Sequence, residues 1–398
     1  MTLPPVSLSP QRPPLVQPIV AGLITALVGY TASFAVVLTG LKAVGATDSQ
    51  AASGLFALTI ALAICAFALA WFTRRPITTA WSTPGAALLA GSAALNFGWN
   101  EAVGAFIMTG LLIAATGAIP WLGKILASIP VPLAQAMLAG VLLKLCLAPF
   151  VALSTIPLYV APIIVIWLVF LRLSPRWAVP AAMGAALGIA GFTMAQSGNV
   201  VSAHELLPTL EFTVPTFTVA AFSGITLPLF VVTMASQNVP GVAVLASFNY
   251  ETPWRSSMLA TGLGSSVAAL FGGHAINLAA ISAALAAGEE AGADRSRRWI
   301  AAASSAVFYI LLGLASASIT ALATASPEGL LEAAAGLALF ATLGASASSA
   351  LSDPRSRMSS LVAFLIAGSG LSFAGIGGAF WALLTGLGLR LLLERKMP

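Results

Sequence analysis

The chain has 398 residues, 59% of them hydrophobic and only 7% charged, with a mean hydropathy of +0.99. That balance excludes a soluble globular domain, which needs about a quarter of its residues charged to cover its surface. The formal net charge of +5 invites a nucleic-acid reading, but in a lipid-embedded chain basic residues instead gather on the cytoplasmic side, so no nucleic-acid partner is expected.

The N-terminal stretch MTLPPVSLSPQRPPLVQPIV is proline-rich and lacks a cleavage site of small residues after a short apolar region, so residues 1–14 are expected as a cytoplasmic tail rather than a signal peptide. With about 20 apolar residues per crossing as the ruler, the chain divides into fourteen segments. They fall near residues 15–41, 51–73, 76–96, 101–120, 130–150, 156–173, 177–197, 215–247, 256–271, 274–290, 298–322, 328–351, 359–374 and 376–393. The resulting class is an all-α polytopic membrane protein. Placing both ends in the cytoplasm puts 15 of the 17 Lys and Arg residues inside, including Arg12, Arg74, Arg75, Lys124, Arg355, Arg395 and Lys396, and leaves only Lys42 and Lys144 outside.

An internal offset of 197 residues aligns PITTAWSTPGAALLAG (76–91) with GHAINLAAISAALAAG (273–288), and Pro130, Leu133 and Ala136 with Pro327, Leu330 and Ala333. The partners lie seven spans apart. An odd number inverts orientation, which predicts two inverted repeats, 15–197 and 215–393, joined by an outside linker at 198–214 that contains His204, Glu205 and Glu211. Spans three and ten read as broken: Pro76 to Thr83 is Thr-rich and β-branched before Pro84-Gly85 opens an alanine helix, and Gly272-Gly273-His274-Ala275-Ile276-Asn277 precedes another. Each is expected to be a short strand followed by a half-helix, whose N-terminus offers unpaired N–H groups and a positive dipole end to an anion.

The eighth span carries Thr233, Ser236, Gln237 and Asn238 before Pro240-Gly241 in an otherwise apolar run. Amides in hydrocarbon need partners, so this stretch is expected to interrupt the helix and line a polar cavity. Gln237 and Asn238 either orient a ligand or tie helices together. Ser82, Thr83 and Gly85 flank the first half-helix, where the hydroxyls either cap it or reach the cavity. His274, with an unperturbed pKa of about 6.5, is either a proton acceptor or a neutral His bonded to backbone. Asn277 either meets ligand or holds the extended segment, and Tyr30 and Ser33 in span one are cavity liners or a packed aromatic and a back-bonded serine. Glu332 either relays protons or complements the dipole of span twelve. Trp81 could flank an aromatic ring. Glu251, Glu289, Glu290 and Asp294 are expected to pair with Arg255, Arg295, Arg297 and Arg298.

FVVTMASQNVPGVAVL (230–245) and FGGHAINLAAISAALAAG (271–288) resemble signature segments of the BenE-type benzoate:proton symporters, a likeness that extends over essentially the whole chain. That family is distantly similar to nucleobase permeases and sulfate-type anion transporters. The resemblance implies a core domain of spans 1–4 and 8–11 (about 15–120 and 215–322) moving against a gate domain of spans 5–7 and 12–14 (about 130–197 and 328–393). It also implies an elevator mechanism, proton-coupled uptake of an aromatic carboxylate across the cell inner membrane, and a homodimer through the gate domain. Where nucleobase permeases carry carboxylates, this chain has Ser236 and Gln237, and Ala280, Ile281 and Ser282. Neutral groups favour an anion, which a carboxylate would repel in low dielectric. Another small anion, a nucleobase, or channel-like conduction in the same fold are the alternatives. No enzyme, cofactor or metal is expected: HExxH and paired-carboxylate constellations are absent, and Ala367-Gly368-Ser369-Gly370 misses a GxSG motif at its first position.

Overall fold

The computed structural model describes residues 15–92, 97–119, 121, 130–196, 207–280, 282–373 and 376–394. The tail 1–14, Lys124, His204, Glu205, Ile281, Arg395 and Lys396 lie outside them.

The chain is predominantly helical. Helices α1 (Val16–Thr31) and α2 (Phe34–Ala43) form one 28-residue apolar stretch interrupted at Ser33, whose φ of −155° and ψ of 2° are not helical. A capping box starts α3 (Asp48–Thr73): Thr47 Oγ1 accepts from the Gln50 N–H, and Gln50 Oε1 accepts from the Thr47 N–H. Strand β1 (Thr79–Trp81) follows, then α4 (Thr83–Ala90) and α5 (Trp99–Ala118). Three long helices complete the first half: α6 (Val131–Thr155), α7 (Pro157–Leu173) and α8 (Pro175–Gln196). Pro157 and Pro175 open their helices, where a missing N–H costs nothing, so single residues, Ile156 and Ser174, suffice as connections.

The second half begins with α9 (Val219–Ser247), followed by α10 (Trp254–Ala269), strand β2 (Ile276–Leu278) and the short α11 (Ala283–Ala287). Then come α12 (Trp299–Leu314), α13 (Ser316–Ala325), α14 (Leu330–Ala350), α15 (Arg357–Ser369), a two-residue hairpin and α16 (Gly378–Leu389). Among the described residues, seven helices are long and apolar enough to cross a membrane, and a bent pair ending at Ala325 makes an eighth. The molecular exterior matches: Leu158, Phe72 and Val219 are more than four-fifths exposed, and α7 buries only Val160 and Ile163. Apolar side chains turned outward on this scale require lipid as solvent.

At the centre, β1 and β2 pair antiparallel in the register Thr79↔Leu278, Ala80↔Asn277 and Trp81↔Ile276. Two flanking bonds extend the ladder, Ser82 N–H to Ala275 O at 2.9 Å and Ala279 N–H to Thr78 O at 3.0 Å. Under the 197-residue offset Ser82 maps to Ala279 and Thr78 to Ala275 (82 + 197 = 279; 78 + 197 = 275), so each bond is the mate of the other. The central pair, Ala80 and Asn277, maps onto itself. This is the register a two-fold axis through that pair would generate.

Helices α5 and α10 cross with glycine backbones in contact. A Cβ on Gly262 would stand 2.6 Å from the Gly110 carbonyl, and one on Gly110 would stand 2.7 Å from the Gly262 carbonyl. Small residues at such crossings let backbones approach, which is how helices associate in lipid.

Contrary to the sequence reading, α9 does not break at Pro240-Gly241. Its backbone widens into π-helical turns at Phe222–Thr226 and Met234–Asn238 and continues through Pro240. A π turn shifts the hydrogen-bond pattern by one residue, which absorbs the N–H that proline lacks.

Asp294 feels the nearby Arg297, as the local scheme expects, but Glu251 and Glu290 pair with more distant residues. Arg75 bonds the Glu251 carboxylate at 3.3 Å and its carbonyl as well, and Arg176 meets Glu290 at 3.2 Å. Arg298 is buried and donates to the carbonyls of Ala287 and Gly292 at 2.7 and 2.8 Å, and Arg295 donates to those of Phe248 and Asn249. Guanidinium groups here complete the carbonyls of loops and helix ends.

Candidate functional site

Where α1 breaks, the strands cross and α4 begins, a cavity of about 80 Å³ opens. One wall comes from the α1–α2 break (Val28, Gly29, Ala32, Ser33), from Ala80, Trp81, Thr83 and Pro84, from Gln237 on α9, and from Ala279, Ala280 and Ser282 after β2. The opposite wall is Leu142 on α6 with Ala338, Leu339 and Thr342 on α14. Among the described residues, no Asp, Glu, Lys, Arg or His lines it. Apolar walls with a few neutral hydrogen-bonding groups suit a small ligand that has an apolar body and one polar end.

Two serines organise the polar part. Ser33 sits at the α1–α2 break, where its hydroxyl oxygen accepts from Trp81 Nε1 at 2.7 Å and from Thr83 Oγ1 at 2.9 Å. Both lone pairs are then used, and the Ser33 O–H proton is left as a donor. Ser82 is the knot behind the wall. Its hydroxyl oxygen accepts from the Gly85 N–H at 3.1 Å and from Thr233 Oγ1 at 2.8 Å, and its carbonyl accepts from the Ala86 N–H and from His274 Nε2 at 3.0 Å. With its own N–H on Ala275, this fully buried residue joins β1, α4, α9 and β2.

The cap therefore consumes the Gly85 N–H, and Pro84 has none. Of the first helical residues of α4, Thr83 alone keeps an N–H without a hydrogen bond among the described residues, at the positive end of the helix and in the cavity wall.

The adjacent amides of α9 part company. Gln237 is half-buried, lines the cavity and makes no hydrogen bond among the described residues. Asn238 is fully buried away from it, accepting from the Leu278 N–H at 2.9 Å and donating to Met234 Sδ at 3.1 Å, so it anchors β2. Ser236 is buried with its hydroxyl unpaired. His274 is fully buried behind Ser82 and outside the cavity wall, its ring edge-on to Phe106 at 6.4 Å. Since its Nε2 partner is a carbonyl, the neutral ring carries its proton there and leaves Nδ1 as an acceptor without a partner. Asn277, within β2, donates to the Leu278 carbonyl at 2.7 Å and keeps Oδ1 unpaired.

Tyr30 is buried beside the cavity, stacked on Phe34 at 5.6 Å and edge-on to Trp81 at 5.2 Å, with its hydroxyl unpaired. Ala280 lies in the wall, and Ile281 is outside the described residues. Glu332 is exposed and lines a separate cleft with Thr39 and Lys42. The structure thus brings Ser33, Thr83, Gln237 and Ala280 to one cavity with Trp81, and sets Ser82, Asn238, His274 and Asn277 in the scaffold behind it.

The wall from α6 and α14 escaped the sequence reading, though the signal was present. Leu142 and Leu339 are equivalents under the same offset (142 + 197 = 339) and face the cavity together. Both are unremarkable leucines in apolar helices until the repeat pairs them.

Over 373 residues the chain is 39% identical to the inner membrane protein YdcO of Escherichia coli strain K12, covering 92% of this chain and 93% of the relative. It is 31% identical over 368 residues to the benzoate membrane transport protein of Acinetobacter baylyi, with the same coverage. Among solved structures, the fold is similar to SLC26A9, with a TM-score of 0.64 at 12% identity over 95% of this chain, which spans 65% of that protein. It is also similar to the transmembrane domain of the cyanobacterial bicarbonate transporter BicA, with a TM-score of 0.56 at 15% identity over 93% of this chain and 98% of that one. The family model for benzoate membrane transport proteins matches residues 14–392, and the chain belongs to that family of membrane transporters, the BenE family.

Proposed function

We propose that the protein takes up benzoate or a similar aromatic carboxylate together with a proton, by elevator-type alternating access in the cell inner membrane. The observation that carries this reading is the central cavity: mostly apolar, free of acidic side chains among the described residues, and supplied with neutral hydrogen-bonding groups. Family membership supports the substrate class.

On this reading the carboxylate settles against the Thr83 N–H, the Ser33 hydroxyl and the Gln237 amide, and the ring packs on Trp81, Ala279, Ala280, Leu142 and Leu339. A carboxylate held by neutral donors at a helix N-terminus needs no buried Lys or Arg. The wall residues also favour a core domain (15–120 and 215–322) and a gate domain (130–197 and 328–393), because the cavity lies between representatives of the two. Joining the two strand-plus-helix pieces and α10 to the eight long segments and the three shorter apolar helices, α7, α15 and α16, accounts for fourteen crossings, with both ends cytoplasmic. The two-fold register of β1 and β2 supports the inverted repeat. A homodimer through the gate domain is part of the same proposal, and the apolar outer face of α7 is the surface available for it.

The proton is assigned to His274. Its unpaired Nδ1 can accept one, and Ser82 links it directly to the start of α4. Protonation of the loaded site neutralises the cargo, and a neutral complex crosses hydrocarbon at far lower cost than a bare charge. Glu332, the alternative carrier, is exposed in another cleft.

Purified protein in proteoliposomes tests the proposal. Radiolabelled benzoate is expected to accumulate above its equilibrium level when the outside is made acidic. Uptake indifferent to the pH gradient removes proton coupling and leaves channel-like flow, and uptake of nucleobase or inorganic anion that benzoate does not compete with removes the substrate assignment.

A further inference from the structure

We propose that a second cleft, centred on Lys144, is an outer docking site where carboxylate anions collect before entering the central cavity. The inference rests on the transport reading above.

The cleft, about 170 Å³, lies between α4 and α6 and is closed by the ends of α15 and α16. It continues the central cavity along the same two helices. On α4, Thr83 and Pro84 line the cavity, and Ala87 and Leu88, one turn further on, line the cleft. On α6, Leu142 faces the cavity, and Val141 and Lys144 face the cleft. The proposed topology puts the cleft on the outer side, and of the 17 Lys and Arg residues it leaves only Lys42 and Lys144 there.

These two lysines differ in their surroundings. Lys42 is neutralised by Asp48 at 2.5 Å. Lys144 has no acidic partner among the described residues, and no acid among them lines its cleft. An exposed ammonium without a counter-charge, in a concave site floored by glycine and alanine backbone, holds an anion loosely and raises its local concentration at the entrance to the cavity. The interaction is with charge, so the ligand is an anion rather than a neutral aromatic, and the transport reading makes that anion a small monocarboxylate. Lys144 also lies beside Gly370, the left-handed residue (φ 73°) that ends α15, and a Cβ there would stand 3.1 Å from Nζ. A cation at a helix C-terminus has a structural use, and the test must separate the two roles.

The experiment compares wild type, Lys144→Gln and Lys144→Arg in proteoliposomes, measuring Vmax/KM for benzoate influx across a range of ionic strength, together with thermal stability. Docking predicts that at low salt Vmax/KM falls about tenfold in Lys144→Gln, that its salt dependence flattens, and that Lys144→Arg keeps both near wild type. In wild type, benzoate should slow acetylation of Lys144 by a membrane-impermeant reagent added outside. A Lys144→Gln variant that loses thermal stability but keeps the wild-type salt slope, or acetylation that benzoate leaves unchanged, overturns the docking site. Wild-type protein that carries no aromatic carboxylate sinks the transport reading instead, and the docking site is then decided by acetylation alone.

Discussion

Gln237 and Asn238 are neighbours with the same functional group, and truncating each to alanine should have opposite effects. Gln237 faces the cavity with its amide free of hydrogen bonds among the described residues, so Gln237→Ala removes nothing from the fold. In the loaded protein it removes a donor to a carboxylate, and a hydrogen bond to a charged group is worth about 1.5–3 kcal/mol. Benzoate Kd should rise roughly ten- to hundredfold at an unchanged melting temperature. Asn238 Oδ1 holds the Leu278 N–H at 2.9 Å inside a fully buried strand. Asn238→Ala leaves that N–H unpaired, a loss of about 1–3 kcal/mol of stability, with little effect on the affinity of the molecules that remain folded. Titration calorimetry with benzoate and thermal melts on the two purified variants measure both quantities. Loss of binding in Asn238→Ala at wild-type stability, or a lowered melting temperature with intact binding in Gln237→Ala, would refute the division of roles.

Other perturbations read different parts of the same assembly. His274→Ala should abolish pH-driven accumulation in proteoliposomes and retain some benzoate exchange; wild-type coupling in that variant excludes His274 as the proton carrier. Ser82→Ala strips the cap of α4 and the partner of the buried Thr233 hydroxyl, so stability should fall by about 1–2 kcal/mol, seen as a lower melting temperature before any transport is measured. Gly262→Val sets a side chain against the Gly110 carbonyl and the Ala114 backbone, neither of which can give way, and overpacking of this kind costs about 1–3 kcal/mol or more. It should yield no monodisperse protein on size-exclusion chromatography in detergent, where Gly262→Ala yields less than wild type.

The membrane class and the place of the candidate site were legible because they depend on residue type and spacing, which survive without coordinates. The direction of a side chain does not. Successive residues on a helix diverge by roughly 100°, so two adjacent amides need not face the same cavity, and nothing in the string SQNVPG says which of them does. The π turn at Met234–Asn238 alters the phase again. Ser82 and Thr83 present the same difficulty: a cap and a ligand donor have the same composition, and only the partners of Ser82 distinguish them. The ion pairs are illegible for a different reason: proximity in sequence points each acid to its nearest basic residues, yet Arg75 and Glu251 are 176 residues apart, and Arg176 and Glu290 are 114 apart. Short loops stack the ends of distant spans together, and Arg295 and Arg298 are occupied by carbonyls, while Asp294 keeps the nearby charge of Arg297 as the local pattern expects.

The repeat explains one more feature, the uneven chemistry of the cavity. The backbone of the strand crossing is symmetric, down to the paired Ser82–Ala275 and Ala279–Thr78 hydrogen bonds. The side chains are not: Ser82 and Thr83 correspond to Ala279 and Ala280 (82 + 197 = 279; 83 + 197 = 280). The second half has thereby lost the hydroxyl that caps α4, and α11 begins without a side-chain cap and runs for five residues against the eight of α4. A cavity with equal donors on both sides would suit a ligand with two polar ends. One with first-half hydroxyls at Ser33 and Thr83, the latter matched in the second half by Ala280, with Ser282 the hydroxyl that follows it, is better suited to a ligand with one. The divergence of the two halves, rather than their likeness, is what supports the proposal of an aromatic monocarboxylate at this site.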